Sequence, residues 1–283
     1  MRVLVLGSEG QLGSELCRIM DEHDLIPATH GEIDIARLPR LVDFARHVRP
    51  DVIINAAGYT DVDGCETNKE MAFLVNAIGA RNAAIAARKV EADLIHISTD
   101  YVFDGNKQGP YVECDCPLPL NIYGWSKLLG ERLVLEQNPR TFILRVAWLY
   151  GPAGRNFVKT MLALAKDKEE ICVVNDQRGT PTFAGDVARQ IKRLLDTESY
   201  GLFHCTSQGC CSWYEFAREI FRLAGIPIRV MPVTSSEYQR PARRPASSVL
   251  DNLMLRAQGL DIMPAWEDSL AAHIGEIKEL VKK

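Results

Sequence analysis

The sequence predicts an α/β protein: a doubly wound parallel sheet with a second, smaller substrate-binding domain. Three observations predict it. Short, continuously apolar runs alternate with longer stretches of helical period through the first 150 residues. A glycine-rich turn separates the first of these runs from the first helix. After about Gly151 the alternation loosens, and Pro and Gly punctuate shorter elements as far as PVTSSEYQRPARRPASS. Strands covered by helices on both faces read as unbroken apolar runs, whereas a sheet wet on one face alternates apolar with polar.

In chain order, the β-type runs are residues 3–6, 24–28, 51–55, 93–98, 141–147 and 171–174. Helical patterns lie at 11 to about 20, 38–48, 66–89, 123–137 and 156–166. A last helix, from 266 to about 281, sets Trp266, Leu270, Ile274, Ile277 and Val281 on one face. With acidic and basic residues mixed on its other side, this is a packing helix and not one that lies on a membrane. Ligands of such folds sit beyond the carboxyl ends of the strands.

Composition narrows the function classes. The 283 residues suffice for one large domain or two modest ones. They are 47% hydrophobic and 25% charged, a globular mixture. Thirty-three Lys and Arg against 37 Asp and Glu leave a net charge of -4, with no overall basic surface for nucleic acid or an anionic membrane. No run approaches the roughly 20 apolar residues that span a bilayer, and MRVLVLGSEG does not read as a cleaved leader. The eight cysteines include Cys114 with Cys116 and Cys210 with Cys211, spacings that fit no zinc framework. Reduced thiols and a cytoplasmic location are expected.

Residues 7–13, GSEGQLG, stand directly between the first strand and the first helix. Glycine allows the tight turn and a close backbone approach to a pyrophosphate, and the helix amino terminus offers unpaired N–H groups to it. The spacing is GxxGxxG. In its strand–turn–helix setting it predicts a dinucleotide site. The second strand ends in Ala28-Thr29-His30, with Glu32 and Asp34 slightly later. An acid at the strand end selects NAD, so this arrangement favours NADPH and leaves NADH open. Asp34 either meets the adenine end or caps the helix that follows.

Tyr123 and Lys127 form YxxxK within a helical segment. Positions i and i+4 share a helix face, so both can address one ligand. A free phenol is a poor acid at neutral pH; a neighbouring ammonium favours the phenolate and eases proton exchange with a substrate oxygen. The run HISTDYVF ends an apolar strand in hydroxyls. Ser98 or Thr99 can cap the strand end or hold a carbonyl and its developing oxyanion. In register with Tyr123 and Lys127, the second role is expected. His96 is expected to be a packed strand residue and not a base.

Together these motifs resemble the extended short-chain dehydrogenase/reductase superfamily and, within it, the dTDP-4-dehydrorhamnose reductase family. The resemblance covers nearly the whole chain. Its marks include GxxGQLG at 7–13, NAAGYTDVDGCE at 55–66, VNAIGARNAA at 75–84, STDYVFDG at 98–105 and YGWSK at 123–127. LRVAWLYG at 144–151, NFV at 156–158, DQRGTPT at 176–182 and RPASSVLD at 244–251 complete the series.

The resemblance implies a Rossmann domain at 1–150, to which 182–206 return, and a mainly substrate-binding domain at 151–283. It implies Thr99, Tyr123 and Lys127 as the catalytic set, with Tyr123 the proton donor and Lys127 also on the nicotinamide ribose. Gly7, Gly10, Gln11 and Leu12 would line the pyrophosphate, Asp34 and Ile35 the adenine, and Ala56, Ala57 and Tyr59 the wall after the third strand. Trp148 would lie against the sugar. Asn156, Arg244 and Ser248 would hold the nucleotide diphosphate, with Arg243 an alternative to Arg244.

The implied activity is reduction of a nucleotide-linked 4-keto-6-deoxy sugar by NADPH, with no nucleic-acid or membrane partner. A homodimer is compatible with it. Gly58 and Ala147 depart from the family pattern and bear on the pocket. Some relatives hold Mg2+ at a dimer contact through an acid where Glu15 stands; one helix carboxylate reads as a surface residue, and no metal is expected at the chemistry. The same fold also serves a non-catalytic regulatory subunit of methionine adenosyltransferase and nucleotide-sugar epimerases. Joint presence of Thr99, Tyr123 and Lys127 favours the reductase.

Overall fold

The computed structural model describes residues 1–282. The chain begins with β1 (Arg2–Leu6), α1 (Gln11–Ile19), β2 (Asp24–Ala28), α2 (Leu38–Val48) and β3 (Val52–Asn55). Then come α3 (Val62–Thr67), α4 (Lys69–Phe73), a π turn (Leu74–Gly79), α5 (Ala80–Lys89), β4 (Asp93–Thr99), a 3₁₀ turn (Asp100–Val102), α6 (Ile122–Gln137) and β5 (Thr141–Val146). The remainder carries β6 (Leu149–Tyr150), α7 (Phe157–Leu164), β7 (Glu170–Val174), β8 (Arg178–Gly179), β9 (Thr182–Phe183), α8 (Ala184–Leu195) and β10 (Gly201–His204). It closes with β11 (Cys211–Ser212), α9 (Trp213–Ala224), β12 (Arg229–Val233), α10 (Leu253–Ala257) and α11 (Trp266–Lys282).

Six strands form one parallel sheet in the order β10-β5-β4-β3-β1-β2. The chain winds outward from β1 to β2, then crosses back to β3 and onward. The reversal opens a crevice between β1 and β3 at their carboxyl ends. Alternate residues of each strand enter two cores. Val3, Val5, Ile54, Ile95 and Leu144 pack with Leu12 and Leu16 of α1 and Val187, Ile191 and Leu194 of α8. Leu4, Leu6, Ile53, Leu94 and Ile143 pack with α2 and the alanine-rich α5. Burial on both faces is why these strands read as unbroken apolar runs.

A third cluster gathers Val158 and Leu162 of α7, Ile171 and Val173 of β7, Phe216 and Ile220 of α9, and Trp266, Leu270, Ile274 and Ile277 of α11. The expected face of the last helix therefore packs inward. Residues 182–206 carry β9, α8 and β10; α8 joins the first core and β10 pairs with β5 at the sheet edge.

Two expectations are corrected. The single helix at 66–89 is four pieces, beginning earlier at Val62 under an Asp61 cap whose carboxylate accepts the Gly64 N–H at 3.0 Å. It is interrupted at Asn68, and its middle is the π turn that carries Asn76, whose side chain is used for contacts outside the helix. The run at 141–147 ends at Val146 because Trp148 takes a left-handed backbone (φ 44) and turns the chain. No helix among the described residues is long and apolar enough to cross a membrane.

Candidate active site

The glycine turn closes on itself before α1 starts. Gly7 N–H and Ser8 N–H donate to Ala28 O at 2.9 and 3.2 Å, and Gly10 N–H to Gly7 O at 3.0 Å. Gly7 has φ +78, and a Cβ there would meet Ala57 Cα at 2.8 Å; a Cβ on Gly13 would stand 2.1 Å from Gly7 O. Glycine is therefore required by conformation at one position and by contact at the other. Gly10 caps α1 without a side-chain bond, so the first-turn N–H groups, those of Gln11 and Leu12 included, face the crevice mouth at the positive end of the helix dipole. Gln11 Nε2 reaches Arg155 O at 3.4 Å and ties this turn to the 152–155 loop.

The acids after β2 are engaged within their own loop. Glu32 accepts from Thr29 N and Oγ1, both at 2.9 Å. Asp34 Oδ1 accepts Ala36 N–H at 2.9 Å, so it braces a turn and does not cap α2, whose cap position is Arg37. Ile35 is buried, and its carbonyl accepts from Asn82 at 2.9 Å. After β3, Ala56 N–H donates to Leu6 O at 3.1 Å. Ala56 and Ala57 pack against opposite sheet cores.

Tyr59 is held by Asn76, which the sequence reading did not single out. Asn76 Oδ1 accepts Tyr59 N–H at 2.8 Å, and its Nδ2 donates to Tyr59 O and Ser126 Oγ, each at 3.0 Å. One buried amide thus locks the loop after β3 to the helix of Tyr123. The signal that could have found it is an Asn inside an apolar helical run, since a buried amide needs partners.

Thr99, Tyr123 and Lys127 converge at the carboxyl end of β4. Asn121 caps α6 through the Gly124 N–H at 2.8 Å and donates to Arg243 O at 2.8 Å, which aims the first turn of the helix. The Tyr123 side chain is part-buried, and the Thr99 hydroxyl faces its phenol. Its ring meets Tyr101 edge-on at 5.8 Å. Lys127 is 5% exposed and its ammonium donates to Ile97 O.

The expected acidification of the phenol by this ammonium is corrected. Burial raises Tyr123 above the usual phenol range, Thr99 opposes the rise, and the Asp100 carboxyl adds to it. Lys127 is engaged with a backbone carbonyl, so a shared helix face does not pair it with the phenol. Burial pulls Lys127 down to about 8, against the nearby Glu131 carboxylate.

A polar row underlies this set on the α6 face of the sheet. Glu131 takes a bidentate bond from Arg145, at 2.9 and 2.7 Å, and a further bond from Ser98. Arg145 also lies 3.5 Å from His204 Nε2. His96 pairs with Asn55 at 3.2 Å, and burial holds its imidazole well below the usual value, so it is a packed neutral residue. Complete pairing is what makes such charges tolerable in an interior.

On the sugar side, Trp148 stacks on Trp213 with centroids 3.4 Å apart and planes 8° from parallel, and Gly179 leaves room for the indole. Ser248 is buried and its hydroxyl faces Asp100. Two expected diphosphate ligands are otherwise engaged. Asn156 caps α7 through Lys159 N–H at 3.0 Å and donates to Gly151 O at 2.8 Å. Arg244 forks onto Asp63 and Ala242 O and also addresses the Tyr101 hydroxyl. Arg243 is exposed.

Glu15 is corrected from a surface residue to a buried one, ion-paired with Arg18 and packed against Gly185. Among the described residues, no group of three or more His, Cys, Asp or Glu is arranged to hold a metal ion. The eight thiols are all free.

Residues 1–279 match the model of a family described as RmlD substrate binding domain. The spore coat polysaccharide biosynthesis protein SpsK of Bacillus subtilis (strain 168) is 40% identical, with 97% of each chain covered. A dTDP-4-dehydrorhamnose reductase from Clostridium acetobutylicum superposes with a TM-score of 0.96 at 45% identity, covering 98% of this chain and 100% of that one. Another, from Bacillus anthracis in complex with NADP, has a TM-score of 0.95 at 43% identity, covering 97% and 99%.

Proposed function

Because the chain belongs to the family of the RmlD substrate binding domain, we propose that it reduces a nucleotide-linked 4-keto-6-deoxy sugar, dTDP-4-dehydro-L-rhamnose to dTDP-L-rhamnose. The observation that carries this reading is the meeting of Thr99, Tyr123 and Lys127 at the end of β4, beside the backbone cradle of residues 7–13. A dinucleotide fits that cradle: its pyrophosphate would take the first-turn N–H groups of α1, where any Cβ at Gly13 would collide with the turn.

NADPH, when bound, supplies the hydride that reaches C4. Tyr123 gives its proton to the C4 oxygen. A phenol held above its usual range by burial stays fully protonated until that oxygen gains charge, which suits a donor. Thr99 steadies the same oxygen. Lys127, moored on Ile97 O, would offer its ammonium to the nicotinamide ribose. Trp148, braced by Trp213, forms the flat wall for the sugar.

Glu32 and Asp34 each spend one carboxylate oxygen inside their own loop, and Arg37, exposed beside Asp34, suits a 2′-phosphate. The preferred dinucleotide is therefore NADPH. A homodimer belongs to the same reading, and the exposed row of Met71, Leu74, Ile78, Trp125 and Leu129 is the face it would cover.

The test is the nicotinamide absorbance of purified protein mixed with dTDP-4-dehydro-L-rhamnose and NADPH. A steady loss is expected; no oxidation of NADPH or NADH would reject the assignment. Tyr123→Phe should lower kcat by about 10²–10⁴-fold while NADPH binding stays intact.

A further inference from the structure

Asp100 stands beside the reacting groups with no role in the mechanism above. It follows Thr99, opens the 3₁₀ turn and is 3% exposed. Its Oδ1 lies 3.0 Å from the Thr99 hydroxyl, while Oδ2 is buried without a hydrogen-bond partner of ordinary geometry among the described residues. The Ser248 hydroxyl faces the same carboxyl. Its titratable neighbours are the Tyr101 phenol on its own turn and the Tyr123 phenol on α6; Arg244, from the carboxyl-terminal loop, addresses Tyr101. An ionised carboxylate with a dry, unpaired oxygen is costly, and a neutral acid far less so. Burial accordingly pushes the Asp100 carboxyl up to about 7, against the bonds from Ser248, Thr99 and the backbone.

Thr99 has one hydroxyl proton and two lone pairs. One lone pair accepts the Tyr101 N–H at 3.2 Å, and the contact with the Tyr123 phenol is given up when that phenol turns to the substrate oxygen. An ionised Asp100 can only accept, so it takes the single Thr99 proton and leaves that hydroxyl nothing to give a substrate oxygen. A neutral Asp100 donates into the second lone pair, and the Thr99 proton is released for use elsewhere. We propose that Asp100 is a positioning residue of the reduction: as a neutral acid it donates to Thr99 and turns the Thr99 hydroxyl into a donor at the substrate carbonyl oxygen. This rests on the roles of Thr99 and Tyr123 given under the proposed function.

The test is the pH profile of kcat. In the parent protein kcat should fall about tenfold per pH unit once Asp100 ionises, above about pH 7. Asp100→Asn can present its amide N–H to Thr99 at every pH, so the fall should begin only above about pH 8, where Lys127 loses its proton, while kcat on the acid side stays within about threefold. If Asp100→Asn fails to fold, Thr99→Val serves instead: its lower residual kcat should also stay level between pH 7 and 8, because Asp100 acts only through Thr99. A fall that still begins near pH 7 in either variant overturns the proposal. Should the protein turn over no 4-keto sugar at all, difference infrared spectra of the NADPH-bound protein still decide. A protonated-carboxyl band that disappears near pH 7 in the parent protein and is missing from Asp100→Asn supports the neutral acid; Glu113, whose carboxyl burial also raises, is unchanged in that variant. Its absence below pH 7 overturns it independently of the assigned reaction.

Discussion

The two sides of the site are built from different materials. The cofactor side is made of backbone: seven consecutive residues form the turn, and its charge comes from the N–H groups of α1. The sugar side is made of side chains from distant segments. Trp148 meets Trp213, Asp100 meets Ser248, and Asp63 of α3 takes Arg244 and the Ala242 N–H. A backbone cradle tolerates almost no change of shape, whereas a wall of converging side chains loses function by degrees. Between them runs the polar row under α6, shared by both.

Acid should strike that shared row hardest. Burial, with Arg145 adding to it, pulls His204 down to about 3, and His96 lies well below its usual value. The unfolded chain binds protons at these imidazoles near pH 6.5 and the fold does not. Their contribution is therefore complete above about pH 6.5 and is lost as pH falls towards 3. Between pH 7 and 5 the two should cost about 4 kcal/mol. Calorimetry should show Tm falling over this interval; a constant Tm would mean the imidazoles are not held neutral.

Gly13→Ala tests the cofactor side alone. Its Cβ would lie 2.1 Å from Gly7 O, so the turn must open. The expected loss is about 2 kcal/mol, a roughly 30-fold weaker Kd for NADPH, with dTDP binding unchanged by titration calorimetry. Equal weakening of both ligands would erase the distinction between the two sides.

Asp63→Ala tests the other side, with a smaller effect. It leaves the part-buried Arg244 guanidinium without its carboxylate, at a cost of about 1 kcal/mol. Substrate KM should rise about fivefold while the Kd of NADPH holds. An effect on NADPH alone would place Asp63 with the cofactor instead.

How much of this was legible in the residues differs between the two sides for the same reason. The cradle is local, and GSEGQLG lies in one window between an apolar run and a helix. Tyr123 and Lys127 were legible as i and i+4 positions, but their electrostatics were not, because spacing says nothing of the Ile97 carbonyl that takes the ammonium. Asn156 and Arg244 carry suitable chemistry, and only packing shows that their polar atoms are already bonded to Gly151, Lys159, Asp63 and Ala242. Helix α9 was missed although its start is written in Ser212 and Glu215, which form a capping box.

The sequence by itself determined the parallel sheet, the phosphate turn and the tyrosine–lysine pair, since each depends on local periodicity or on a short contiguous motif. Tertiary structure decided the rest: which side of the phenol the lysine serves, that Asp100 is buried with an oxygen unpaired, and that Glu15 is internal. Those outcomes are set by desolvation and by partners brought from up to 181 residues away, as Arg244 is to Asp63. Neither burial nor a distant partner leaves a mark on the residues next to it in the chain.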